Sequence, residues 1–409
     1  MFGKANGGMV REGFMTEKEM KRFSKGTNTE KKILLSKHLH RMKDIAQSRM
    51  NNSFLLIGER EETSKNFVIP NIKEHNSSYI VIDPEGAIYN QVKDDLDGYS
   101  IKCMDLSSGI NGNRTVCYNP FYYTKTEKDV MSLLDHFVEY KKEFFTSTQL
   151  CFLAACIFHF LENDKELSFH TLWKFVNDFV GNEFDNDDKD KLATKYYNEF
   201  VNGAAGLTRE SIIKDCISLL GQYRHLGTED QLGLDKMREE YIALFIIPPK
   251  MNSKVEDNVI SFLLKQLCNR CSEVSHPEGD IPSPDHNIDC IFMDIRYVKK
   301  FDFPYTGIMY QNGVDFTVSI SATSQMEDIY GDNWRTVAYS LETWIFYSTY
   351  AKNTLDLICK EIGGDIGFQF FHPLLTLEEL EKLPEQEKCV VLQWGQKPAI
   401  DDLLTADIE

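Results

Sequence analysis

Basic residues are the scarce class in this sequence. Lys and Arg number 45 against 63 Asp and Glu in 409 residues, a formal net charge of −18. Such a surplus of negative charge repels phosphate backbones, so non-specific attachment to nucleic acid is disfavoured and any contact with it needs a local basic groove. Apolar runs of membrane-spanning length are also wanting. The longest, near Leu150 to Leu161, is interrupted by His159 and falls short of the roughly 20 apolar residues a span requires. No leader-like stretch opens the chain, and the expectation is a cytoplasmic protein with no transmembrane segment. Paired cysteines are lacking too: ten are scattered, most inside apolar runs such as "NIDCIFMD", as befits reduced, mostly buried thiols. Cys268 and Cys271 alone have metal-like spacing, but they lie in the helical run "VISFLLKQLCNRC" without a second pair, which favours core thiols over zinc. There is no Gly-x-Ser-x-Gly elbow, no cysteine in a histidine context and no internal repeat. His38 and His40 form an isolated, solvated pair.

With 42% hydrophobic residues the chain is long enough for two or three compact units. Residues 1–50 are polar and lysine-rich, with helical signals at "MTEKEMKRF" and "SKHLHRMKDIAQSRM". "NSFLLIGERE" and "SSYIVIDPEG" are continuous apolar runs ending in turns, the mark of strands covered on both faces. The segment between them predicts a crossover helix starting near Ser64. From 127 to 235 the period changes to that of helices, with an acidic spacer "EFDNDDKDK" as a loop. Strand signals return at "YIALFIIPP", "DCIFMDI", "FTVSISATS", "TWIFYST" and "KCVVLQWG", separated mostly by helical runs. The expected organisation is an N-terminal segment (1–50), an α/β domain (51–126 and 236–409) and an all-α domain (127–235).

The order of these pieces resembles the coupling ATPases of conjugation and type IV secretion, the TraG/TraD-like hexameric DNA pumps, and within them the Gram-positive, integrative-element branch. The likeness runs over nearly the whole chain, through "FVIPN", "YNPF" (Tyr118 to Phe121), "KYYNEF" (Lys195 to Phe200), "LGLDKM", "IFMD", "SISATSQMEDIY" and the terminal "LLTLEELEKLPEQEKCVVLQWGQKPAIDDL". It implies a RecA-like P-loop NTPase fold with a mostly parallel sheet and an all-helical inserted domain. Two features usual in the family are missing from the sequence: an N-terminal membrane anchor and a long Gly/Ser-rich stretch, here shortened to "EIGGDIGFQFF". The implied location is the cytoplasm, or the inner face of the membrane through partners.

A working P-loop reads G-x-x-x-x-G-K-[ST]; its backbone N–H groups surround the phosphates, its lysine reaches the β- and γ-phosphates and its hydroxyl holds Mg²⁺. Aligned on Pro70 and Asn71, the loop falls on "IGEREETS", so that Ile57 and Glu62 stand at the glycine positions, Thr63 at the lysine, and only Ser64 keeps its type. Lys65 comes one position late, turned by about 100° on a helix. Glu59, Glu61 and Glu62 bring carboxylates where a triphosphate should sit, offset in part by Arg60 and Lys65. On the residues alone, the segment also reads as a solvated turn capped by Thr63 or Ser64. In the family an Asp that orders Mg²⁺ is followed by a Glu that polarises the attacking water; here Asp294 is followed by Ile295. Asp294 equally suits a strand-terminal aspartate capping the next turn. At the γ-phosphate sensor the sequence keeps Gln325 but has Thr323 at the earlier glutamine, and Glu85 replaces the usual lysine of Asp-Pro-Lys-Gly.

Four changes in one expected cleft, all against phosphate or hydrolysis, point to a pseudo-ATPase without resident cofactor that acts through partners: conjugation or secretion machinery proteins, an active paralogue, or the relaxosome. The 127–235 module would face substrate or relaxosome. Two other readings stay open. One is an active hexamer pumping single-stranded DNA, with ATP and Mg²⁺ held by Gly58, Thr63, Ser64, Lys65, Asp294 and Gln325, and Asp294 as the metal ligand. The other is a stand-alone protein-interaction scaffold. Arg335 suits a surface salt bridge better than a trans-acting finger, and Phe370, Phe371 and His372 suit a core or interface.

Overall fold

Strands without polar alternation need cover on both faces, and that requirement organises the molecule. The computed structural model describes residues 13–25, 31–48, 50–110, 116–180, 184, 191–251, 253–272, 286–298, 313–363 and 374–404. The chain divides into two compact units. The first holds Met1–Cys103, Asp235–Ile247 and Cys268–Glu409, the second Met104–Leu234 and Pro248–Leu267.

After a small antiparallel hairpin, β1 (Lys32–Leu34) and β2 (His40–Met42), a nine-stranded sheet follows. Its strands are β3 (Phe54–Ile57), β4 (Ser77–Ile82), β5 (Ser100–Asp105), β6 (Ile242–Ile247), β7 (Asn287–Phe292), β8 (Val314–Ile320), β9 (Thr343–Phe346), β10 (Lys388–Gln393) and β11 (Ala399–Asp402). They lie in the order β11-β10-β9-β3-β8-β7-β4-β6-β5. β9, β3, β8, β7, β4 and β6 run parallel, while β10 is antiparallel to both β9 and β11. The five returning strand runs read from the sequence are thus β6 to β10. Helices cover the central strands, and every residue of β3, β4, β8 and β9 is buried.

The structure corrects several local expectations. β3 and β4 are joined by a helix, but they are not neighbours: β8 and β7 lie between them. That helix begins at Arg60, not near Ser64. It runs Arg60–Thr63, widens into a π turn at Ser64–Val68 and ends as Ile69–Lys73. Pro70 has no N–H to return to the preceding turn, and the wider turn absorbs that break. The run 36–50, expected to be helical, supplies β2 and only a short helix, Ile45–Ser48. Tertiary contacts override its helical spacing: Ser36 and His38 hydrogen-bond Asp401, so His38 is not merely solvated.

Arg41 and Lys43 turn inward from the same run. Arg41 is buried, donates to Thr343, Gln393, Asn52 and the Asn51 carbonyl, and lies 5.0 Å from the Phe54 ring centroid. Lys43 bonds both oxygens of Asp289, at 2.7 and 2.5 Å. Asp289 sits beside Asp315 in the parallel register of β7 and β8.

The second unit is helical, with Glu127–Phe137, Glu143–Leu161, Phe169–Asn177, Leu192–Gly203 and Gly206–Tyr223 as its main helices. Thr126 and Ser168 start two of them with reciprocal capping boxes. Phe137 meets Phe169, Tyr223 and Phe262 edge-on at 4.8–5.2 Å, a favourable aromatic geometry. Among the described residues one helix, Glu143–Leu161, is long and apolar enough to cross a membrane by length and composition, but 61% of its window is buried, as the core helix of a soluble protein also would be. Phe370, Phe371, His372 and nearly all of the acidic spacer lie outside the described residues.

Burial, reinforced by the neighbouring Asp289 charge, pushes the Asp315 carboxyl up to about 7. A folded-state value above the unfolded one, about 3.9, means that the folded protein holds the proton more tightly. The stability it contributes is therefore full below about pH 4 and lost as pH rises to about 7. Asp315→Asn should flatten that limb, gaining on the order of 4 kcal/mol relative to wild type between those limits. Urea unfolding across pH 4–8 measures it; parallel profiles for the two proteins would contradict it.

Candidate functional site

The parallel strands β3, β8, β7, β4 and β9 end on one edge, where Ile57, Ile320, Phe292, Ile82 and Phe346 are their last residues. Only Gly58 and Glu59 separate β3 from the Arg60 helix. A loop that surrounds phosphates needs free N–H groups, and several here are already engaged. Gly58 donates to the Ile320 carbonyl at 2.9 Å and Thr63 to the Glu59 carbonyl at 3.0 Å. The Ser64 N–H goes to the carbonyls of Arg60 and Glu61.

Thr63, at the lysine position, is fully buried; its hydroxyl meets Ser319 Oγ at 2.8 Å and the Arg60 carbonyl at 3.1 Å. Thr63 and Ser64 lie inside the helix and do not cap it. The cap position belongs to Glu59, whose side chain makes no capping bond. Lys65 is exposed and has no ion-pair partner among the described residues.

At the helix start the Glu59 N–H faces an internal anion. The Glu62 carboxylate turns back to accept the Glu59 N–H and the Ser348 hydroxyl. Burial raises its pKa, and those two hydrogen bonds oppose the rise. A helix N-terminus attracts negative charge, and here the chain supplies that charge itself. Gly58 leaves the room: a Cβ built there would lie 2.9 Å from Glu62 Oε2 and 3.0 Å from Tyr347 Cβ.

Asp294 follows β7 and is 4% exposed. It accepts the Arg296 N–H at 3.0 Å and Arg296 Nε at 2.8 Å, with Arg296 Nη2 also bonded, while Arg60 Nη2 approaches Oδ2 at 2.8 Å. Burial alone would raise its pKa. The Arg296 bonds and charge, with the Arg60 charge, outweigh burial and hold the carboxyl below its ordinary value. Ile295, which the sequence reading sets at the catalytic-glutamate position, is fully buried.

Two further acids surround the site. Asp83, which follows β4, carries no sequence signal beyond its strand-end position in "DPEG". It is buried, accepts the Tyr89 N–H at 2.8 Å, and feels the Arg60 charge; burial raises its pKa. Glu85 is exposed and left-handed at φ +72°, beside Gly86 at +71°. Gln325 folds onto its own turn, its Oε1 accepting the Ser321 N–H at 2.8 Å, and Thr323 pairs with Thr354. Arg335 is exposed, its guanidinium 5.4 Å from the Trp334 ring centroid. Cys268 and Cys271 are buried.

These residues fit Mg-ATP poorly. The carboxylate suited to Mg²⁺ is shared by two guanidinium groups, Thr63, which the sequence alignment sets at the lysine position, is buried, and the Glu62 carboxylate lies at the helix start. No step through ATP or Mg²⁺ follows from this geometry.

No protein-family model matches the chain, and no curated protein matches it significantly. Among solved structures it is similar to the plasmid conjugative coupling protein TrwB. The complex of TrwB with ADP and Mg²⁺ has a TM-score of 0.70 at 14% identity, covering 100% of this chain and 98% of the other. The complex with the ATP analogue ADPNP gives 0.70 at 14%, covering 99% and 97%. An unbound form lacking its N-terminal segment gives 0.68 at 14%, covering 98% and 95%. The chain therefore has the RecA-like P-loop NTPase fold, with a mostly parallel central sheet.

Gly58→Ala should destabilise the protein by about 1–3 kcal/mol, because the added methyl meets Glu62 and Tyr347. In a Glu62→Ala background the same change should cost less, since one obstacle has gone, and the non-additivity reports the contact. Chemical denaturation of the four proteins measures it. Strict additivity would mean that the Glu62 carboxylate does not lie over Gly58.

Proposed function

We propose that the chain is a non-hydrolysing, coupling-protein-like subunit of a conjugative or type IV secretion DNA-transfer system, acting through protein partners. The observation that carries this reading is the self-occupied strand edge. Arg60 and Arg296 stand where a metal ion would meet Asp294, and the Glu62 carboxylate stands where a phosphate would meet the helix. Both ligand charges of Mg-ATP are thus matched by side chains of the chain itself. Loss of general-base assistance at Ile295 alone removes typically about 10²–10⁴-fold in rate.

The transfer context rests on the likeness to TrwB over nearly the full length of both chains, together with the family resemblance of the motif order. Within that context the α/β domain (51–126 and 236–409) is the retained scaffold. The all-α domain (127–235) is the face offered to the relaxosome or substrate. Machinery proteins, including an active paralogue, are the partners, and the protein works in the cytoplasm or at the inner face of the membrane. The formal charge of −18 favours protein partners over direct, non-specific attachment to DNA.

Calorimetric titration of Mg-ATP into the purified protein should release no binding heat at high micromolar protein, with Asp294→Ala identical to wild type. Saturable binding that Asp294→Ala weakens would sink the pseudo-ATPase reading and favour the active hexamer. In cells competent for transfer, the protein should co-purify with transfer-machinery proteins; a monomer without such partners would instead favour the stand-alone scaffold.

A further inference from the structure

Inside the α/β unit, toward the N-terminal ends of the strands, one lysine stands between two acids. Asp289 on β7 and Asp315 on β8 lie opposite each other in the parallel register. Lys43 is buried and gives hydrogen bonds to both oxygens of Asp289, so its charge is taken up by one of the two. Asp315 is 2% exposed. It receives a bond from Asn52 Nδ2 to Oδ2 at 3.3 Å, and its Oδ1 is buried without a partner. Asn52 also donates to the Lys43 carbonyl at 2.8 Å, which ties the two ends of the 43–52 stretch together.

The other groups facing the pair do not supply what Asp315 lacks. Arg41 feels the charges of Asp315 and Glu342, but its hydrogen bonds go to Thr343, Gln393, Asn52 and the Asn51 carbonyl. From β4 the buried Tyr79 stands opposite Asp289 in register, and the buried Cys290 follows Asp289 on β7; burial keeps both uncharged. Two neighbouring carboxylates with one cation between them retain a proton that an isolated acid would lose. Burial and the Asp289 charge accordingly push the Asp315 carboxyl up to about 7. A cavity of about 30 Å³, lined by Lys43, Asn52, Asp289, Thr317 and Phe54 among others, adjoins the cluster and has room for about two waters.

We propose that this cluster is a proton-operated latch on the 41–52 segment. With its proton in place, Asp315 is a neutral neighbour of the Lys43–Asp289 pair and the segment stays closed. When the proton leaves, a second buried anion stands beside Asp289 without a cation of its own. The segment then opens by local unfolding: Lys43 and Asn52 withdraw, and water reaches both acids through the cavity. The strands behind it, β3, β8 and β9, are buried along their whole length and stay paired. The latch lies at the end of the strands opposite Asp294 and does not depend on whether the chain binds nucleotide.

Hydrogen exchange of the intact protein, read by mass spectrometry and corrected for the intrinsic rate at each pH, tests the latch. Opening returns Asp315 toward its ordinary acidity. Protection of peptides covering 41–53 should therefore fall by up to about tenfold per pH unit between about pH 5 and 7, and level off above about pH 7.5. Peptides from β8 and β9, which open only with the whole protein, should be more protected than 41–53 at every pH. Asp315→Asn should make the protection of 41–53 independent of pH. In the wild type, carbon-13 NMR of the aspartate carboxyls should show one group titrating at about 7, which decides the matter if the variant fails to fold. The proposal is overturned if 41–53 shows the same pH dependence in wild type and Asp315→Asn, if it is as protected as β8 at every pH, or if no aspartate carboxyl titrates between about pH 6 and 8.

Discussion

The contact between Arg60 and Asp294 decides what the strand edge can do. A carboxylate buried at the end of a parallel strand is costly unless it is paired and hydrogen-bonded. In a nucleotide-binding site the pairing charge arrives with the ligand. Here it is covalently part of the chain: Arg60 comes from the helix after β3, and Arg296 from two residues beyond the acid. Any incoming cation must displace two guanidinium groups already in hydrogen-bonding geometry, one of them contacting both carboxylate oxygens. Removing Asp294 would leave both guanidinium groups without their shared anion, although their partial exposure to solvent softens that loss.

The early start of the helix follows from the same arrangement. A phosphate-binding loop is kept open by glycines and by the anion it surrounds. In the alignment read from the sequence, Glu62 takes the place of the second glycine and Thr63 that of the lysine, and the segment closes as a helix whose Glu62 carboxylate accepts the Glu59 N–H. Thr63 is then drawn into the interior, where its hydroxyl is satisfied by Ser319 and the Arg60 carbonyl.

Much of the parallel sheet was legible in the sequence, because buried strands carry uninterrupted apolar runs whose meaning is local. The runs at Phe54, Tyr79, Ile242, Cys290, Phe316, Thr343 and Cys389 all became strands. The helices from Glu127 to Tyr223 were equally readable from their period. What could not be read depended on distant partners. β2 replaced a helical pattern because Arg41 and Lys43 are needed by Asn52, Thr343, Gln393 and Asp289. Asp83 and Arg296 gained their significance only when β4 and β7 were brought side by side. At the candidate site the residue types can be read from the sequence, whereas the pairing of Arg60 with Asp294, 234 positions away, cannot.

The two edges of the sheet illustrate different uses of buried charge. At the N-terminal edge, Arg41, Lys43, Asp289 and Asp315 tie the 41–52 segment to strands β7, β8 and β9 through contacts that few other side chains could reproduce. Such a network favours one register over its alternatives, because a strand shifted by one residue would leave each charge unpaired. At the C-terminal edge, Arg60, Arg296, Glu62 and Asp294 lie where strand ends and helix starts converge, a place whose donors and acceptors normally await a ligand. Filling those positions with internal partners lowers the cost of leaving the edge empty.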